Sequence, residues 1–166
     1  MNLPKIMVMG VGNVLLTDEG LGVRFLEELE KSNLPENVEL IEGGTTGLDL
    51  VHLIQDVDFL IIVDAINAHS EPGAIFRFCP EENKIFPDEF QISFHQVGIV
   101  EVLSLAGIIG HAPKTLIYGV QPKSMEWSLE LTPEIKAVFP KLLDFVLDEI
   151  RYISEHGEFK VMPHQE

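Results

Sequence analysis

Lys5-Ile6-Met7-Val8-Met9-Gly10-Val11-Gly12 is a short apolar run that ends in a tight glycine turn, and it reads as a buried strand. Its counterpart is Phe59-Leu60-Ile61-Ile62-Val63-Asp64, a fully apolar strand stopped by an acid. Between the two, Leu21, Phe25, Leu26 and Leu29 recur at helical spacing, while Arg24, Glu27, Glu28, Glu30 and Lys31 fill the opposite face. That helix runs to about Lys31, and Pro35 closes the connection. Val38 to Ile41 is a second strand ending at Glu42-Gly43-Gly44, and Leu48, Val51 and Leu53-Ile54 mark a second short helix. Strand, helix, strand, helix, strand within about 60 residues is the pattern of a parallel sheet with right-handed crossovers and helices on both faces. The expected fold class is therefore α/β: a three-layer sandwich around a mostly parallel, twisted sheet of about five strands, one edge strand being antiparallel.

The rest of the chain extends that frame. Pro72-Gly73 turns into Ala74 to Phe78, an edge strand, and Pro80 to Ser93 is a polar loop. Val97 to Ala106 reads as a helix, and Thr115 to Val120 as a further strand. Thr132-Pro133 starts the last helix, with threonine as N-cap and proline at the first helical position. Ile135, Val138, Phe139, Leu142, Leu143, Val146, Ile150 and Ile153 form its buried stripe, and Pro140 is expected to kink or restart it. Residues 1–155 read as one domain and 156–166 as a frayed tail.

Composition narrows the function classes. The 166 residues are 46% hydrophobic, enough for a real core and too apolar for a disordered chain. Cys79 is the only cysteine, so neither an intrachain disulfide nor a cysteine-based zinc site can form, and a reducing, cytoplasmic setting is expected. Apolar runs of about five residues fall far short of the roughly 20 that span a bilayer, and no export signal stands out. With 11 basic against 27 acidic side chains the net charge is −16, which repels phosphate backbones and anionic lipid. Neither nucleic acid nor membrane is an expected partner.

Ligands of open parallel sheets bind beyond the carboxyl ends of the strands, and that is where this chain keeps its acids. The loop after the first strand carries Asp18 and Glu19, the second strand ends on Glu42, and the third on Asp64. If the first and third strands are neighbours, Glu19 and Asp64 converge, and a divalent cation would relieve their repulsion. His95, in Ser93-Phe94-His95-Gln96-Val97-Gly98, is the third ligand to look for, because the other five histidines sit in polar or loop surroundings. Each carboxylate also has a plainer reading: Asp18 and Glu42 as helix caps, Asp49 and Glu101 as solvated helix faces. A strand followed by Gly10-Val11-Gly12 also resembles a dinucleotide fingerprint. Against this, Leu15 stands where the third glycine belongs, and Asp18-Glu19 would set negative charge where a pyrophosphate must lie.

Taken in order, the segments Gly10 to Glu19, Glu42 to Thr45, Asp64-Ala65 and His95-Gln96-Val97-Gly98 resemble the maturation endopeptidases of nickel–iron hydrogenases. Gly119-Val120-Gln121-Pro122, Ser124, Glu126-Trp127 and Thr132-Pro133 resemble the family's late segment, so the likeness runs from about Ile6 to Ile153. It implies a cytoplasmic endopeptidase that removes a C-terminal extension from the precursor of the hydrogenase large subunit once nickel is in place. It implies Glu19, Asp64 and His95 as metal ligands, with nickel supplied by the substrate and zinc or another divalent ion able to substitute in vitro. One imidazole and two carboxylates suit such ions, and only the resemblance selects nickel. Glu42 and Asp18 become candidates for chemistry, although the family more usually has aspartate where Glu42 stands, one methylene shorter. Gly43, Gly44 and Thr45 would let backbone approach the substrate peptide. Two alternatives from other classes are a nucleotide-binding α/β module and a non-catalytic chaperone of the large subunit.

Overall fold

The computed structural model describes residues 2–43, 47–80 and 94–161, the side chains of 47, 48 and 94–97 excepted. Within them, β1 (Ile6–Gly10), β2 (Val38–Glu42), β3 (Phe59–Ala65), β4 (Ile75–Phe78) and β5 (Lys114–Val120) form one sheet in the order β2-β1-β3-β5-β4. Neighbours run parallel, except that β4 lies antiparallel to β5 at the edge. The helices are α1 (Leu21–Glu30), α2 (Gly47–Leu53), α3 (Phe94–Ile109) and α4 (Pro133–His156). The expected α/β class, mostly parallel sheet and antiparallel edge strand are all present.

Two-residue periodicity sorts the sheet into two cores. Ile6 and Val8, Phe59, Ile61 and Val63, and Leu116, Tyr118 and Val120 face α1 and α4. Met7 and Met9, Leu60 and Ile62, and Ile117 face α2 and α3. β1 and β3 are buried along their whole length, which is why they read as unbroken apolar runs rather than alternating ones. On α1, Phe25 is fully buried and meets Phe139 of α4 edge-on, ring centroids 5.9 Å apart. Burial of such a side chain is worth about 1.5–3 kcal/mol.

Several expectations need correction. β3 extends through Asp64 and Ala65, so Asp64 lies inside the strand instead of beyond it. α4 passes Pro140 without restarting, and its buried face includes Glu149 among the apolar residues. The chain beyond α4 is docked, not frayed, as far as Lys160: Gly157 caps α4 in the left-handed conformation. Phe159 packs edge-on against Phe59 at 5.2 Å, and the Lys160 amide donates to Glu149 Oε2 at 2.8 Å. The expected polar loop lies, from residue 81 to 93, outside the described residues, as do Gly44 and Thr45. Among the described residues no helix is long and apolar enough to cross a membrane.

Candidate active site at the carboxyl edge of the sheet

β1 and β3 are indeed neighbours, in register from Ile6–Phe59 to Gly10–Val63. The chain leaving β1 is compressed against β3. The Val11 amide donates to the Val63 carbonyl at 3.0 Å, and a Cβ on Gly22, at the start of α1, would stand 2.3 Å from that same carbonyl oxygen. Gly12 has φ +139°, and a Cβ there would sit 1.8 Å from the Glu19 carbonyl oxygen. Only glycine fits both the angle and the space, and the chain can therefore fold back so that Glu19 lies over the end of β1, beside the strand that carries Asp64. Asp64 itself is 1% exposed.

The glycine turn does not open directly into a helix, as a dinucleotide fingerprint would require. A 3-10 turn, Thr17–Gly20, intervenes and carries Asp18 and Glu19. Sequence reasoning missed it. Thr17 takes φ +50°, a left-handed conformation that a β-branched residue adopts at a cost of about 1–3 kcal/mol. Neighbouring bonds hold it there: the Thr17 amide donates to the Ser128 carbonyl at 3.0 Å, its hydroxyl to the Glu126 carbonyl, and the Ser128 amide to the Leu15 carbonyl at 3.0 Å.

As a cap for the following helix, Asp18 is a correction, since the N-cap of α1 is Gly20 and no side chain bonds there. Its carboxylate, fully buried, instead fastens the 122–132 segment. Oδ2 accepts from the Lys123 amide at 2.9 Å and the Ser124 amide at 3.0 Å, and Oδ1 from the Thr132 amide at 2.9 Å. The Thr132 hydroxyl lies 2.8 Å from Oδ2 and 3.0 Å from Oδ1. Thr132 is the expected N-cap of α4, but its hydroxyl serves Asp18 rather than the helix.

Gln121, buried at the end of β5, organises the chain beyond Asp64. Its Oε1 accepts from the Ala68 amide at 2.8 Å and the Ser70 amide at 3.2 Å. The sequence signal for it was the Gly119-Val120-Gln121-Pro122 segment. Glu42, by contrast, is exposed at the end of β2, opposite Gly10 in register, and the Gly43 amide continues the pairing to the Gly10 carbonyl at 2.9 Å.

His95 stands in the first turn of α3, and its side chain is outside the described residues. One turn later, Ile99 joins the core cluster of Val11 and Ile66, residues just past the carboxyl ends of β1 and β3. The start of α3 is thus on the same edge of the sheet as Glu19 and Asp64. Among the described residues no three His, Cys, Asp or Glu side chains gather into a metal cage, and His95 is not among them. The donor types of the three expected ligands, two oxygen and one nitrogen, match a borderline divalent ion such as nickel or zinc. Partial desolvation, with Glu149 nearby, outweighs the Arg77 charge and pushes the Cys79 thiol up, away from the reactive thiolate.

Comparison with known proteins bears on this edge of the sheet. A family model described as hydrogenase maturation protease matches residues 23–149, a span that contains Asp64 and His95 and begins just after Glu19. The hydrogenase 2 maturation protease of Escherichia coli (strain K12) is 41% identical over 156 residues, covering 89% of this chain and 91% of its own. The hydrogenase expression/formation protein HupD of Rhizobium leguminosarum bv. viciae is 39% identical over 151 residues, covering 89% and 75% respectively. Among solved structures, the hydrogenase maturating endopeptidase HybD from E. coli has the same fold with a TM-score of 0.79 at 39% identity, over 89% of this chain and 92% of that one.

Proposed function

The chain belongs to the hydrogenase maturation protease family, and from that premise we propose that it removes the C-terminal extension of a nickel-loaded large-subunit precursor in the cytoplasm. Glu19, Asp64 and His95 bind the nickel that the precursor brings, and the precursor without nickel is not cut. The observation that carries this reading is the fold-back of the Glu19 turn over the end of β1, next to β3 in which Asp64 is buried, with the first turn of α3 on the same edge of the sheet.

A metal held there supplies Lewis acidity to a scissile carbonyl or to an attacking water. The protein's own part is to orient it. Asp64 is fixed by pairing with Gly119 of β5, and Glu19 by the Gly12 fold-back. Glu42, exposed at the end of β2, takes the part of general base toward water, and Gly43-Gly44-Thr45 is the segment assigned to the substrate peptide. Asp18 we leave out of the chemistry, because both its oxygens are occupied by the loop it fastens.

Intact-mass spectrometry of the precursor, nickel-loaded and nickel-free, tests this directly. Wild type is expected to shorten only the nickel-loaded form, and Asp64→Asn and His95→Ala to lose at least about a hundredfold in rate. Full processing by either variant, or equal processing of nickel-free precursor, overturns the assignment.

A further inference from the structure

Four large apolar side chains crowd the loops beside the Glu19 turn and face water: Trp127 is 79% exposed, Leu129 62%, Leu15 47% and Met125 44%. Isolated exposed leucines need no explanation, but a clustered apolar surface on a soluble fold marks a contact site, and tryptophan is prominent among residues that anchor interfaces. The segment is also rigidly mounted. Asp18 holds Lys123, Ser124 and Thr132, and the bonds between Leu15, Thr17, Glu126 and Ser128 tie the 124–128 stretch to the loop that carries Glu19. A pre-fixed apolar surface loses little conformational entropy on binding.

We propose that Leu15, Met125, Trp127 and Leu129 form the docking surface for the C-terminal region of the precursor, the stretch of polypeptide that leads to the bond to be cut. This rests on the function proposed above. Continuity and charge identify the occupant. The patch and Glu19 share one backbone-bonded loop pair, so a chain bound at Glu19 has the patch beside it. Leu129 is also the lip of a cleft of about 760 Å³ between α1 and α4, walled by Leu131, Phe139, Pro140 and Leu143, which can take an anchoring apolar side chain. The flanking cations are already engaged, Lys123 with Glu134 at 2.9 Å, Lys136 with Glu130 at 3.0 Å and Arg24 with Glu27 at 3.3 Å. On a chain of net charge −16, that balance favours an apolar segment carrying basic rather than acidic side chains.

Trp127 is the only tryptophan, so the full-length protein labelled with 5-fluorotryptophan gives one fluorine resonance. Unlabelled, nickel-loaded precursor is expected to shift or broaden it. In parallel, Trp127→Ala and Leu129→Ser are expected to raise KM for the precursor about tenfold or more and to leave kcat within about twofold. Ile108→Ser, at a residue 81% exposed near the opposite end of α3, is expected to change neither. Cleavage by wild type with an unmoved fluorine signal and unchanged KM in both variants overturns the docking surface and leaves the protease reading intact. A wild type that cuts no nickel-loaded precursor overturns the function itself, and this inference with it.

Discussion

Among the described residues two carboxylates are completely buried, Asp18 and Glu149, and they solve the same problem in opposite ways. Asp18 sits in a loop and is satisfied by neutral donors, three backbone amides and one hydroxyl. Glu149 sits on α4 and is satisfied by a countercharge. Arg77 of β4 donates to its Oε1 from Nε at 3.0 Å and Nη2 at 2.5 Å, and the Tyr118 hydroxyl of β5 donates to the same atom at 3.0 Å. Burial, with Glu149 alongside, pushes the Tyr118 phenol up, and Arg77 is also held above its ordinary value because Glu149 and Tyr118 outweigh its desolvation. The amide-held carboxylate pins irregular backbone next to the candidate active site. The ion-paired one welds regular elements, and the chain after α4, at the β4 edge of the sheet.

Breaking the ion pair has the larger expected effect. Glu149→Ala removes the Glu149 carboxylate from the Arg77 guanidinium, 19% exposed, and the acceptor from the Tyr118 hydroxyl. The expected loss is about 3–5 kcal/mol in chemical denaturation, with precursor processing by the surviving folded protein near normal. A loss below about 1 kcal/mol would mean that Arg77 finds water and that the pair is not a weld.

Asp18→Asn is the sharper test of the other region. It turns one acceptor oxygen into an amide facing amide donors, so at least one donor among Lys123, Ser124 and Thr132 loses its partner. A cost of about 2–3 kcal/mol is expected, with hydrogen exchange rising in 122–132 first and processing falling more than the stability loss explains. Unchanged processing with loosened 122–132 amides would separate that loop from the active site.

The difference between the two regions also marks where sequence reasoning reaches. Strand runs, the α1 stripe and the Thr132-Pro133 start are local patterns, and the structure has them. Glu42 and the Gly10-to-Glu19 loop were legible as strand-end features because a parallel sheet collects its loops at one edge, and Asp64 was legible as the acid of β3, although the strand runs one residue past it. The roles of Asp18 and Glu149 were not, since their partners lie 105 to 114 and 72 residues away and no spacing announces them. The apolar stripe read for α4 passes over Glu149, whose burial is explained only once β4 supplies Arg77. The left-handed Thr17 is hidden for the same reason, because Glu126 and Ser128 hold it from across the chain.

The smallest expected effect comes from replacing the ionic cluster instead of breaking it. Arg77→Met, Tyr118→Phe and Glu149→Leu together remove both charges and the hydroxyl, so no buried polar side chain of the trio is orphaned. Replacement of a buried pair by apolar side chains of similar volume is often neutral or stabilising, and global stability is expected within about 1 kcal/mol of wild type. The chain after α4 should respond differently. The Lys160 amide loses Glu149 Oε2, and its carbonyl loses the Arg77 Nη2 donor at 3.0 Å, which leaves the Phe159–Phe59 contact and the exposed Lys160–Asp148 ion pair to hold it. Exchange at the Lys160 amide is expected to rise about tenfold or more while the sheet core stays protected. That outcome would give the ion pair a role in placing the terminal segment rather than in net stability. A triple variant as unstable as Glu149→Ala would instead make the charges themselves a net source of the fold's stability and erase the contrast with Asp18.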